Sequence, residues 1–302
     1  MIVCFDIGGT AVKSAFAHSA TDVRPYARQP TPLEDFDAFI GCLKFVLDAA
    51  PARPEAISIS LAGSVDAATK RWKIANIPCL NGRVIQDELE LALDVPLTVS
   101  NDADCCAVAE SIVGAGRGHE IVFSVILGTG IGGGLVINRR LINCSGGSAG
   151  EWGHGLPAHD FDVSIDKYAL PLFRCGCGLD GCLDATCGAR GIERLYRYQA
   201  GEELTAQEIL DGWLRNEPRA SQTIESVLSM LSAPLALLVN VTGASIIPAG
   251  GGLSKCKPFV SALDTKVRNR TLRKFDTPLV VPAECTTEPG LIGAAIVGFD
   301  QM

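Results

Sequence analysis

The sequence predicts an α/β protein of two domains. Three observations carry that expectation. The chain has 302 residues, about twice a usual domain length of roughly 150. Short apolar runs alternate with segments of helical period throughout. Three glycine-rich turns each follow an apolar run. Hydrophobic residues make up 47% and charged residues 20%, a globular composition rather than a disordered one. The formal net charge is −8, from 34 acidic and 26 basic residues with no basic run. That balance excludes a nucleic-acid surface as an expectation but leaves room for a small anion held by local donors.

The elements follow in order. Residues 1–5 read as a strand, 6–10 as a tight turn, and 11–17 as a returning strand. Apolar residues at 36, 39, 40, 43, 46 and 47 predict a helix over 36–50. Strands are expected at 56–61 and 97–99, and a helix at 103–112 that starts at Asn101-Asp102. A fully apolar strand spans 121–127, and the turn 128–134 leads into a strand at 135–138. Residues 143–188 read as irregular and rich in Gly and Cys. Helices follow at 189–199, 205–215 and 220–241, with strands at 245–248 and 279–281 and a last helix at 290–299.

Glycines let backbone N–H groups approach a phosphate closely, and a Thr hydroxyl adds a donor. The turns Asp6-Ile7-Gly8-Gly9-Thr10, Gly128-Thr129-Gly130-Ile131-Gly132-Gly133-Gly134 and Gly250-Gly251-Gly252 are therefore candidate phosphate cradles, with plain hairpins as the alternative. Segment 128–133 matches the dinucleotide pattern GxGxxG, but so does 176–181. A dinucleotide fold also needs a helix next, and here a strand is expected. Asn101-Asp102 is either an N-cap or a carboxylate general base with an orienting amide beside it.

Twelve cysteines are too few for a disulfide scaffold. Cys4, Cys42, Cys79, Cys144, Cys256 and Cys285 read as small buried hydrophobes in a reducing compartment, and Cys105-Cys106 as core. Cys175, Cys177 and Cys182 with His154 form a closed zinc set of the structural type, with Cys187 and His159 as competing ligands. No signal peptide is expected, and the apolar stretch 233–241 is too short to span a bilayer. The expectation is a cytoplasmic protein.

The motifs DIGGT (6–10), Asn101-Asp102, LGTGIGGG (127–134), GEWGH (150–154), CGCGLDGC (175–182) and GGGL (250–253) stand in the order found in the ROK family, which this chain resembles over nearly its whole length. That family contains sugar kinases and sugar-responsive repressors. The resemblance implies an actin-like ATPase (ribonuclease H-like) fold with two α/β domains and an interdomain cleft. It places residues 1–115 with 288–302 in one domain, and 116–287 with the zinc-stabilised loop in the other. Segments 75–82 and 127–138 resemble the N-acetylglucosamine kinase branch. A repressor would carry a helix-turn-helix ahead of the DIGGT turn, where only five residues stand.

Carried over residue by residue, Asp102 resembles the catalytic base, and Gly63, Asn76, Asn101, Glu151, His154 and Asp184 the sugar contacts. Asp6, Gly8, Gly9, Thr10, Lys13, Gly128, Thr129, Gly130, Gly132, Gly133 and Gly134 resemble the ATP-phosphate contacts, and Gly250, Gly251 and Gly252 the adenosine-side turn. The implied reaction is Mg²⁺-dependent transfer from ATP to the 6-hydroxyl of N-acetyl-D-glucosamine, with glucokinase and N-acetylmannosamine kinase as alternatives and a homodimer as the expected assembly. A non-catalytic sugar sensor is the remaining alternative. The chain departs from the family at Asp184, where Glu is usual, and at Ala11, which displaces the usual lysine to Lys13.

Overall fold

A computed structural model describes residues 1–143, 147–155 and 170–302. Cys144 and His159 lie outside the described residues. The chain divides into two compact units, one of Met1–Gly114, Gly134–Ala149 and Cys285–Met302, the other of Ala115–Gly133 and Gly150–Glu284. Residues 134–149 thus group with the first unit, whereas the expected division assigned them to the second.

The first unit opens with strands β1 (Ile2–Ile7), β2 (Ala11–Ala17) and β3 (Val23–Pro30), then helix α1 (Phe36–Asp48). Strand β4 (Ile57–Leu61) and the small ribbon β5 (Ser64–Val65) and β6 (Trp72–Lys73) follow, then α2 (Ile85–Leu93), β7 (Leu97–Asn101) and α3 (Asp102–Val113). The sheet order is β3-β2-β1-β4-β7. Strands β1, β4 and β7 are parallel, while β2 and β3 return antiparallel.

Strand β1 is apolar without alternation because both of its faces are covered. Val3 and Phe5 pack with Phe39 and Leu43 of α1. Ile2 and Cys4 pack with Leu291, Ala294 and Ala295 from the C-terminal segment 285–302. The register aligns Ile7 with Leu61, and Leu61 with Asn101. The DIGGT turn, Gly63 and Asn101-Asp102 therefore all leave the carboxyl ends of adjacent parallel strands, where α/β sheets bind ligands.

The second sheet has the order β10-β9-β8-β11-β12. Its strands are β8 (Ile121–Leu127), β9 (Ile131–Ile137), β10 (Arg140–Leu141), β11 (Ile247–Gly250) and β12 (Val280–Pro282). Among the described residues, the helices between β10 and β11 are α4 (Leu183–Cys187), α5 (Ala189–Ala200), α6 (Ala206–Leu214) and α7 (Pro218–Thr242). Helix α8 (Lys257–Arg268) precedes β12, and α9 (Pro289–Asp300) closes the chain. Parallel pairing sets Gly250 of β11 opposite Ile126 of β8, so the second and third glycine turns leave the same end of that sheet.

Two sequence expectations change here. Strand β9 begins at Ile131 rather than at 135, so Gly132, Gly133 and Gly134 lie in a strand and not in the turn. Helix α7 runs 25 residues, beyond the stretch 233–241, and by length and composition it is long enough to cross a membrane. Its apolar residues Ile224, Val227, Leu228, Leu231 and Leu235 are fully buried within the protein, the burial of a core helix.

Candidate active site

In the first unit the site is built on the β7–α3 junction. Asn101 caps α3: its Oδ1 accepts from the backbone N–H groups of Ala103 at 2.7 Å and Asp104 at 3.2 Å. Its amide nitrogen donates to the Gly63 carbonyl at 2.5 Å. The side chain thus performs the capping role and also fixes the loop after β4. Gly63 sits at φ +146°, and a Cβ there would press on Ile74 and the Lys73 carbonyl. Asp102 is the first helical residue and half-buried, with one carboxylate oxygen 2.9 Å from the Ala103 N–H. The positive end of the α3 dipole favours a carboxylate there.

The DIGGT turn is held from outside itself. Gly8 N–H donates to the Ala11 carbonyl at 3.1 Å, and Thr31 Oγ1 donates to the Gly8 carbonyl at 2.6 Å. Asn76 lies directly against Gly9, close enough that a Cβ on Gly9 would meet the Asn76 Cβ at 2.9 Å. Asp6 is half-buried and accepts from Ser60 Oγ at 3.0 Å. Lys13 is bonded to Glu288 at 2.7 Å and lies 3.5 Å from Asp6. The Glu288 carboxylate raises the Lys13 pKa above the usual lysine range, so the ammonium is charged at neutral pH and already engaged by two carboxylates.

In the second unit, Gly128 N–H donates to the Gly130 carbonyl at 3.0 Å, closing the β8–β9 turn. Gly128, Thr129 and Gly130 are its accessible residues. Gly133 and Gly134 are buried, and the Gly132 carbonyl accepts from Trp152 Nε1 at 2.8 Å. The exposed cradle is therefore shorter than the 128–134 expected from the sequence. Gly250 ends β11, and Gly251 and Gly252 form the turn after it, closed by Ser254 Oγ donating to the Gly251 carbonyl at 2.8 Å.

Cys175, Cys177, Cys182 and His154 meet: their ligand atoms all lie within 4.8 Å of one another. Cys175 Sγ is 3.5 Å from His154 Nδ1, and Cys177 Sγ is 3.7 Å from Cys182 Sγ. A tetrahedron with Zn–S bonds of about 2.3 Å has S···S edges of about 3.8 Å, so the residues fit zinc. The His154 Nε2 faces the other way, 3.7 Å from Glu151 Oε2. Cys187 is fully buried and outside this group. Asp184 directs one oxygen to the Ile131 N–H at 2.8 Å and the other towards Cys175 Sγ at 3.7 Å.

Sequence reasoning missed Thr31, Ser60, Glu288 and Trp152. Trp152 carried a signal, since it lies inside the GEWGH motif. Glu288 carried none, being 275 residues from Lys13.

Comparison with known proteins gives one consistent result. The model of the ROK family matches residues 2–300. An N-acetylgalactosamine kinase of a Shewanella species is 33% identical over 97% of this chain and 95% of its own. An N-acetyl-D-glucosamine kinase of Photobacterium profundum is 31% identical over 98% of this chain and 99% of its own. Among solved structures, the ROK hexokinase of Thermus thermophilus superposes with a TM-score of 0.83 at 28% identity, covering 99% of this chain and 98% of that one. With its motifs in place on two α/β units and its whole length matched, the chain belongs to the ROK family.

Proposed function

We propose that the chain transfers the γ-phosphoryl group of ATP to the 6-hydroxyl of N-acetyl-D-glucosamine, with Asp102 as general base. The observation that carries this is the register of β1, β4 and β7. It sets the DIGGT turn, Gly63 and the Asn101-Asp102 pair side by side at one sheet end. Phosphoryl transfer is mostly positioning and charge stabilisation, and this end supplies both a base and backbone donors.

Asp102 accepts the proton of the attacking hydroxyl. In this reading the sugar contacts are Asn101, Gly63, Asn76, Glu151 and His154. The backbone N–H groups of Gly8–Thr10 and Gly128–Gly130 receive phosphate oxygens, and Gly250–Gly252 the adenosine side. Asp6 is the hard oxygen donor that would hold Mg²⁺ beside the phosphates, where the ion supplies charge neutralisation. Lys13 serves Asp6 and Glu288 rather than ATP, since both carboxylates already engage it.

Zinc, when bound, supplies structure, because four protein ligands close the tetrahedron. His154 would ligate through Nδ1 and keep Nε2 for Glu151 and the sugar. That division of the ring is a familiar one for metal-bound histidine. A homodimer and a cytoplasmic location belong to the same reading.

A second reading is an N-acetylgalactosamine kinase, favoured by the Shewanella relative at 33% identity. A coupled ADP-release assay across N-acetylglucosamine, N-acetylgalactosamine, N-acetylmannosamine, glucose and mannose decides between them. The highest kcat/KM is expected on N-acetylglucosamine. A tenfold preference for the galacto sugar, on the order of 1.4 kcal/mol, would transfer the assignment to the second reading.

A further inference from the structure

The residue that departs from the family pattern, Asp184, is tied to the β8–β9 turn by an unusual density of contacts. Its Oδ1 accepts the Ile131 N–H at 2.8 Å. The same oxygen lies so close to Gly130 that a Cβ there would overlap it. Its own N–H donates to the Gly153 carbonyl at 2.9 Å, between Glu151 and His154. Its second oxygen is directed at Cys175 Sγ, 3.7 Å away. The helix that bears it starts directly after Cys182. One turn later the grip repeats: Ala189 N–H donates to the Gly128 carbonyl at 2.8 Å, and a Cβ on Gly188 would meet the Thr129 carbonyl at 2.6 Å.

One carboxylate oxygen of Asp184, Oδ1, is therefore committed to the phosphate turn; the other has no proton to accept from Cys175 once that sulfur is a zinc-bound thiolate. We infer that Asp184 is a positioning residue that shapes the Gly128–Gly130 turn through the Ile131 amide. The inference rests on the reading of Gly128–Gly130 as a phosphate cradle. Its consequence is that the cysteine cluster, the Glu151–His154 turn and the phosphate turn share one strut. Loss of that strut reaches nucleotide binding before sugar binding.

The test compares Asp184→Ala, Asp184→Asn and Gly130→Ala with the parent, each as the full-length zinc-loaded protein. Three quantities are read: KM for ATP, KM for sugar, and hydrogen–deuterium exchange of peptides covering 128–134. Loss of a hydrogen bond to a charged acceptor predicts that Asp184→Ala raises KM for ATP about tenfold. KM for sugar should stay within about twofold, zinc content should be unchanged, and exchange at Ile131 should rise. Asp184→Asn keeps an acceptor for Ile131 and is expected within about threefold of the parent in both KM values.

Gly130→Ala leaves Asp184 in place but displaces its oxygen, so it is expected to raise KM for ATP and the exchange rate as Asp184→Ala does. If Asp184→Ala does not fold, this variant carries the test, and parent-like values in it overturn the inference. A raised sugar KM with unchanged ATP KM in Asp184→Ala also overturns it. A parent that releases no ADP with any sugar defeats the kinase reading instead. The exchange measurement still decides the strut in that case.

Discussion

Asp102 stands at the first position of α3, and Asn101, the residue before it, spends one end of its amide on the helix cap and the other on Gly63. The cap is observed, and the proposed base directly follows it. The cap fixes the direction in which the chain enters the helix and therefore the carboxylate that follows. Asp102→Asn removes the proposed base while leaving Asn101 and the cap intact. General-base magnitudes predict a fall in kcat of about a hundredfold or more, with sugar affinity within about twofold, read by coupled assay and calorimetry. Turnover near the parent value would remove Asp102 from the mechanism. The motifs that surround it were legible because each is a short local string. The Lys13–Glu288 pair was not, because its two residues meet only through the fold. Asp184 was legible as a departure, but its partner Ile131 was not, since a sequence shows no backbone donor's target.

At the scale of elements, the strongly patterned ones were legible and the others were not. The apolar run at 121–127 coincides with β8, and the helical spacing at 36–47 falls within α1. Strand β3 was missed because it is an exposed edge with two prolines, so no alternation marks it. Helix α2 was missed because charges interrupt its narrow apolar stripe of Ile85, Leu89 and Leu93. Helix α4 is too short for its period to register. The knuckle before α4 has little core of its own: Cys175, Cys182 and Ala185 form its buried cluster. A zinc ion bound there would therefore carry much of its stability. Cys177→Ser is predicted to lose zinc, measured by metal analysis, and to lower the thermal midpoint by several degrees. On the scale of a larger domain, about 2–4 °C accompanies each kcal/mol lost. Parent-like stability in the variant, together with no metal in the parent, would remove zinc from the account.

For the whole molecule, the two five-stranded sheets repeat one device. A five-stranded sheet places glycine turns and polar residues at the carboxyl ends of its parallel strands. The α/β class was legible from alternation alone. The assignment of 134–149 to the first unit was not, because it depends on packing distant in sequence. The cysteines divide by burial in the same global way. Desolvation pushes the Cys4 thiol up to about 12 and raises Cys105 well above the ordinary range. Alkylation at about pH 8, near the ordinary thiol pKa, is therefore predicted to spare Cys4, Cys105 and Cys187 in the folded protein. Half-buried Cys256 is predicted to react, as read by peptide mass mapping. Labelling of Cys4 at the rate of Cys256 would contradict the packing of β1 between two layers.

The most direct measurement of the central claim is ³¹P and ¹H NMR of the product formed by the parent protein with ATP, Mg²⁺ and N-acetyl-D-glucosamine. A phosphomonoester at the 6-position is expected, with one ADP released per sugar. No phosphorylated sugar, or phosphate on another hydroxyl, would contradict it.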